Sequence, residues 1–337
     1  MPAMNHDPLS DVLRSVHLRG AIFYYVSFRD EWVAETPGAP QLSDALMPGA
    51  EHVLAYHLIA TGNGWAATDG EPPVRLASGD IVMFPRGHAH MLSSAPGMRA
   101  QPDDSDWRFT TRNDPKPIAV SYHRGVLRPG TDTPADEASA VVVCGFIGCD
   151  LRPFNPLIEA LPRLLHLPAG GVGAWVAPVL HQAVSESRES RPGSAAVLER
   201  VSEMVFVDAA RRYLESLPAD ASGWLAALRD RHVGKAISLM HEQPAATWTI
   251  DQLGRQVGLS RSALHERFVD LVGQPPMQYL TNWRMQRGAA LLREGDATVA
   301  TIAQEVGYDS EAAFARAFKR LVGQPPAAWR RAQRVSR

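Results

Sequence analysis

Apolar residues follow two different periods along this chain. Between residues 21 and 147 they come in short β-branched and aromatic runs, at 21–28, 52–59, 81–84, 118–122 and 140–147. Turn clusters such as Thr61-Gly-Asn-Gly64 and Asp69-Gly-Glu-Pro-Pro73 separate them, which predicts an antiparallel sandwich or barrel. The last run is continuous and predicts a strand buried on both faces. A short amphipathic helix over 8–18, with Leu9, Val12, Leu13 and Val16, precedes the strands. The polar, Asp- and Pro-rich stretch 103–117 reads as a mobile hairpin tip. Beyond Pro153 the period becomes helical. Residues 155–162 read as a short helix or turn, and 164–167 lead into the flexible 169–173. Longer helices follow over 175–187 and 194–217. In the second, Val197, Leu198, Val201, Met204, Val205, Val207, Ala209 and Leu214 cover too wide an arc for a single face, so this helix is expected to pack on the barrel. Residues 218–223 read as a linker, and Val233, Ala236, Ile237 and Met240 mark the first helix of a C-terminal domain that starts near Asp230.

That C-terminal domain contains one pattern twice. Thr249 with Gln252 begins a capping box, after which Ile250, Leu253 and Val257 share a helical face. Gly258 then supplies a tight turn, Ser260 caps a second helix, and Leu264, Phe268 and Leu271 form its apolar stripe. The segment closes on Leu271-Val-Gly-Gln-Pro-Pro276. The second copy starts at Thr298, packs through Val299, Ile302 and Val306, then Phe314, Phe318 and Leu321, and closes on Leu321-Val-Gly-Gln-Pro-Pro326. Val-Gly recurs with an offset of 49 and the six-residue closing string with an offset of 50. Two short helices joined through a glycine turn are a helix-turn-helix. A longer helix over 277–293 joins the two copies.

In its order of parts, this tandem resembles the AraC-type bacterial transcription regulators over about 100 C-terminal residues. The resemblance implies a double helix-turn-helix, in 249–272 and 298–322, that binds double-stranded promoter DNA. The second helix of each copy is the candidate for the major groove. Arg261, Ser262, His265 and Glu266 on the first, and Glu311, Ala312, Ala315 and Arg316 on the second, match the family's base-reading positions, with Lys319 and Arg320 beside them. A solvated helix face is the alternative for each residue taken singly. Glu266 and Asp270 depart from a cationic reading helix and leave the first copy's preference open.

Charge supports this division. The chain has 34 Lys+Arg and 36 Asp+Glu, a net charge of −2, yet residues 231–337 carry 15 against 9. The remainder is acidic. A basic C-terminal domain suits a phosphate-lined partner. At 337 residues two domains are expected. The boundaries read as 1–217 for a sensor and dimerisation domain, 218–229 for a linker and 230–337 for the DNA-binding domain. No apolar run is long enough for a bilayer, the start lacks a basic-then-apolar leader, and two cysteines form no disulfide framework. No membrane association and a cytoplasmic location are expected.

The stretch Gly79-Asp-Ile-Val-Met-Phe-Pro85-Arg-Gly87-His-Ala-His90 resembles the second motif of cupin barrels, a sensor fold that AraC-type regulators often carry. Its glycines and proline turn the chain whatever the function. A catalytic cupin would join His90 to a preceding His-x-His pair and Glu, and those are missing. No metal, cofactor or catalytic residue is therefore expected. His57, His88, His90 and His123 remain candidates to converge on an effector pocket, each alone also being an ordinary core or turn histidine. Cys144 and Cys149, five apart on one strand, would lie about 16 Å apart on opposite faces, too far for a disulfide. They read as two buried small side chains. Cys144 also lies in a strand that looks like one from regulators that sense oxidants, which makes it a redox candidate.

The expected fold is α+β in two domains: an N-terminal cupin-like antiparallel barrel with trailing helices, and a C-terminal all-α double helix-turn-helix. The expected function is sequence-specific transcription regulation driven by a small-molecule effector or an oxidant, in a homodimer, with RNA polymerase as a further partner if the protein activates. A metal-dependent cupin enzyme with an appended helical domain is the alternative.

Overall fold

A computed structural model describes residues 6–16, 18–100, 118–123, 126–129, 137–170, 175–188 and 191–335. The expected hairpin tip at 103–117 and most of the stretch 169–173 lie outside the described residues. Within them, the first half of the chain forms α1 (Pro8–Ser15), β1 (Leu18–Phe28), β2 (Val33–Thr36), α2 (Ala39–Leu46), β3 (His52–Thr61), β4 (Asn63–Thr68), β5 (Val74–Ala77), β6 (Ile81–Phe84), β7 (His90–Ser93), β8 (Ile118–His123), β9 (Val126–Pro129) and β10 (Ala140–Cys149). The second half forms α3 (Pro156–Ala160), β11 (Leu165–Leu167), α4 (Val176–Arg188), α5 (Ser194–Ser216), α6 (Trp224–Arg229), α7 (Val233–Glu242), α8 (Ile250–Val257), α9 (Arg261–Val272), α10 (Pro276–Glu294), α11 (Val299–Glu305), α12 (Glu311–Val322) and α13 (Pro326–Val335). No helix among the described residues is long and apolar enough to cross a membrane.

The chain divides into two compact units. One takes Leu18–Cys149 and Leu161–Ser216. Its strands form a seven-stranded sheet, ordered β11-β6-β3-β10-β1-β8-β9, and a four-stranded sheet, ordered β2-β7-β4-β5. Pairing is antiparallel except between β1 and β8, which run parallel. Alternate residues of β1, Tyr24, Val26 and Phe28, enter a core with Val53, Ala55 and Ile59 of β3, Leu76 of β5 and Leu92 of β7. The intervening residues of β3 are also buried, and Tyr56 bonds Ser202 of α5 at 2.9 Å. Both faces of β3 and β10 are thus covered, which is why their sequences run apolar without alternation. Gly79 and Gly87 flank β6 with φ of 88° and 64°, the turning role that their spacing predicts.

The other unit takes Leu217–Arg337 together with Met1–His17 and Asp150–Ala160. Two short segments from the N-terminal half of the sequence therefore pack with the C-terminal helices, and α10 receives both. Gln286 donates to the Ser15 carbonyl at 2.9 Å and accepts from the Phe154 N–H at 3.0 Å. Arg293 reaches Asp150 at 2.5 Å, each side chain 5% exposed, and covers the Trp329 ring. Such a buried pair is costly to break, since loss of either member leaves the other charge in the interior. Residues 224–229, which read as linker, form α6, and Trp224 donates to the Tyr279 hydroxyl at 2.8 Å.

Candidate nucleic-acid interface and effector cavity

Each helix-turn-helix copy is set by its caps. Thr249 and Gln252 form a full capping box at α8, and Thr298 accepts from the Thr301 N–H at α11. Ser260 and Ser310 accept from the N–H groups of Ala263 and Ala313, each at 3.2 Å, and so start α9 and α12. Gly273 and Gly323 end those helices in the left-handed region. Leu264, Phe268, Phe314 and Phe318 are fully buried, so the opposite faces of α9 and α12 are turned to solvent. Arg261, Ser262, His265 and Glu266 are exposed on α9, and Glu311, Ala312, Arg316, Lys319 and Arg320 on α12; Ala315 is half-buried.

The two faces differ in how their charge is held. On α9, Arg261 lies 3.9 Å from Asp251, and Arg267 is bonded to Asp230 at 2.9 and 2.5 Å. Glu266 and Asp270 are exposed beside them. On α12, Arg316, Lys319 and Arg320 have no ion-pair partner among the described residues. A line of unpaired cations on an exposed helix attracts phosphate.

A joint between the copies was not read from the sequence. Arg284 of α10 donates to the carbonyls of Pro244 and Ala246, just before the first copy, at 2.7 and 2.9 Å. Its guanidinium also lies 6.0 Å from the ring centre of Tyr308, in the turn of the second copy. Gly307 beside it has φ of 86°, and a Cβ there would stand 2.8 Å from the Ala245 Cα. The recurring Val-Gly marked the turn, but nothing local marked its neighbour across the fold.

In the barrel, His57 of β3 and His90 of β7 meet, with 2.8 Å between their Nε2 atoms. Burial pushes both below the usual histidine range, His90 to about 4, so both are neutral at pH 7. His88 contributes its carbonyl, which bonds His90 Nδ1 at 3.0 Å, while its ring is half-buried. The side chain of His123 lies outside what is described. Among the described residues no three His, Cys, Asp or Glu side chains gather in a metal-binding group. Cys144 and Cys149 both lie on β10 and form no disulfide. Burial pushes the Cys144 thiol up to about 12, away from the thiolate that reacts. His57 and Cys144, cross-strand neighbours, line an apolar cavity of ≈ 60 Å³ with Tyr24, Phe28, Leu42 and Phe146.

Comparison with known proteins bears on both parts. A helix-turn-helix domain model matches residues 253–332, and a cupin model matches 7–215. An AraC-like transcription regulator of Streptomyces lividans is 32% identical over 327 residues, 96% of this chain and 98% of that one. The chain belongs to the AraC-type transcription regulators. This AraC-type protein is a DNA-binding transcription regulator with a cupin-like domain. The HTH-type transcriptional regulator AlkR of Acinetobacter baylyi is 27% identical over 96% of this regulator and 99% of its own length. Among solved structures, the DNA-binding domain of AdpA in complex with a target DNA is 29% identical over 32% of this regulator and 96% of that chain, with a TM-score of 0.31.

Proposed function

We propose that this regulator reads an asymmetric promoter site with α9 and α12 in successive major-groove turns, about 34 Å apart. On α12, Arg316 is the base-reading residue, suited to a bidentate contact with guanine, and Lys319 and Arg320 meet phosphate. On α9, Arg261, Ser262, His265 and Glu266 discriminate, Glu266 by accepting from a cytosine amino group. Glu311, Ala312 and Ala315 complete the second surface. The barrel takes a small-molecule effector in the cavity that His57 lines, with His90 acting through its bond to His57 and the His88 carbonyl holding His90. The protein works in the cytoplasm as a homodimer, without enzymatic activity, and RNA polymerase is a partner if it activates.

The observation that carries this reading is the exposed cation line of α12, unpaired among the described residues, on a duplicated scaffold. An oxidant input through Cys144 is the weaker alternative, because its thiol is held protonated. A metal-dependent enzyme is weaker still, since the described residues offer His57 and His90 without a third ligand.

The test is salt-titrated binding of the full chain to a DNA site selected from random sequence. Arg316→Ala should cost about 1–3 kcal/mol on that site and relax preference at one position. Unchanged affinity and preference would remove α12 from base reading.

A further inference from the structure

Hydrogen positions in the buried histidine pair follow from their partners. The His88 carbonyl can only accept, so His90 Nδ1 carries the proton that bonds it at 3.0 Å. A neutral His90 then presents Nε2 as an acceptor, and the 2.8 Å contact requires His57 Nε2 to be the donor. His57, neutral in turn, is left with a bare lone pair on Nδ1. Among the described residues no hydrogen-bond partner meets that atom, and it is closed to water. A buried acceptor without a donor is unusual and needs an explanation.

His57 lines the cavity, and the surroundings narrow what can complete it. Tyr24, Val26, Phe28, Leu42, Leu46, Leu92 and Phe146 make the lining apolar. Glu35, the acidic side chain of the lining, disfavours an anion there. The Cys144 thiol, across from His57 on β10, makes no bond to it either. The volume of ≈ 60 Å³ is well below the roughly 150 Å³ of a dry cavity that admits benzene, so a ligand of several heavy atoms enters only as the lining yields, which a flexible chain allows more readily than a rigid ring.

We propose that the cavity binds a short neutral aliphatic alcohol, whose hydroxyl donates to His57 Nδ1 while its chain packs among Phe28, Leu42, Leu46 and Phe146. The hydroxyl supplies a donor to Nδ1, and the tail makes dispersion contacts with the apolar lining. Because Nδ1 is closed to solvent, binding includes a shift of the His57 ring. This assignment rests on reading the cavity as the effector site, and names the chemical class that the site selects.

The experiment titrates the full chain, labelled with ¹⁵N-histidine, with 1-butanol, with methyl propyl ether, and with butyrate. The ether has the same composition without the donor, and butyrate adds a charge. The expected result is saturable binding of 1-butanol that moves the His57 Nδ1 resonance, ether about ten-fold weaker, and butyrate weaker than both. His57→Phe should abolish the preference for alcohol over ether. If that variant fails to fold, Ala34→Leu fills the cavity from β2, leaves the histidine pair intact, and should abolish 1-butanol binding. Equal binding of ether and alcohol, preferred binding of butyrate, or an unmoved His57 resonance at saturation overturns the proposal. DNA affinity is measured in parallel at fixed salt. Alcohol that binds at His57 and leaves DNA affinity unchanged supports the cavity chemistry and refutes the effector reading. A DNA site selectively bound by a protein that takes up no alcohol overturns the cavity proposal alone.

Discussion

The two helix-turn-helix copies share a scaffold and differ in their surfaces. Thr caps at 249 and 298, Ser caps at 260 and 310, and glycine ends at 273 and 323 occupy equivalent places. Solvent-facing positions diverge. The first copy ties Arg261 and Arg267 to carboxylates and exposes Glu266 and Asp270, whereas the second leaves Arg316, Lys319 and Arg320 unpaired among the described residues. Residues retained between copies are those a helix needs to start, stop and pack. Those that changed face outward, where a bound duplex would distinguish them. On the proposed division of labour, the second copy supplies most of the phosphate attraction and the first supplies discrimination.

The turn glycines give the largest way to break this comparison. Gly258 and Gly307 have similar φ, 75° and 86°, but a Cβ on Gly258 meets nothing within 4 Å, whereas one on Gly307 collides with the Ala245 backbone. Gly258→Ala should cost only the left-handed backbone term, about 1–2 kcal/mol. Gly307→Ala adds overpacking, for a total of about 2–5 kcal/mol. Thermal and urea unfolding of the C-terminal unit would rank them. Equal losses would show that the joint at Ala245 yields freely and that the copies are not held in a fixed relation through it.

The same two glycines show what was legible. The tandem, its caps and its buried faces were readable because each depends on residues within one helix or turn, and the resemblance followed from their order. Strand β6 was read with its bounds intact, as its apolar run lies between the turns at Gly79 and Pro85. What could not be read depends on distant chain meeting in space: Arg284 with Pro244 and Tyr308, and Arg293 with Asp150. The helix α2 was missed although Ala39, Leu42 and Leu46 are spaced for one buried face. Pro37, Gly38 and Pro40 around its start have the composition of a turn, and Leu42 and Leu46 of this helix supply one wall of the cavity. The linker at 224–229 is a helix because Trp224 finds Tyr279, a partner 55 residues away.

A smaller effect separates phosphate attraction from base reading. Lys319→Ala should weaken binding to the selected site and to random DNA alike, and lower the slope of log affinity against log salt by about 1. Lys319 is exposed at the last turn of α12, so its removal should leave folding stability unchanged. A loss confined to the selected site would place Lys319 with the base-reading residues and move the division of labour toward the second copy.

Glu266→Ala should give the smallest change in affinity and the sharpest test of the first copy. Its carboxylate is exposed on α9 near that of Asp270. Brought against a duplex, it repels phosphate on every sequence, so its removal strengthens binding to random DNA. If it also accepts from a cytosine amino group, removal takes away one base contact on the selected site, worth about 1–3 kcal/mol of discrimination. The two effects oppose each other on that site and act singly on random DNA. Affinity for the selected site should therefore change little while the ratio of specific to non-specific affinity falls by about ten-fold. The ratio is read from the same salt titrations with selected and scrambled sites. An unchanged ratio with stronger binding to both would make Glu266 a solvated surface charge, and α9 would then owe its specificity to Arg261, Ser262 and His265 alone.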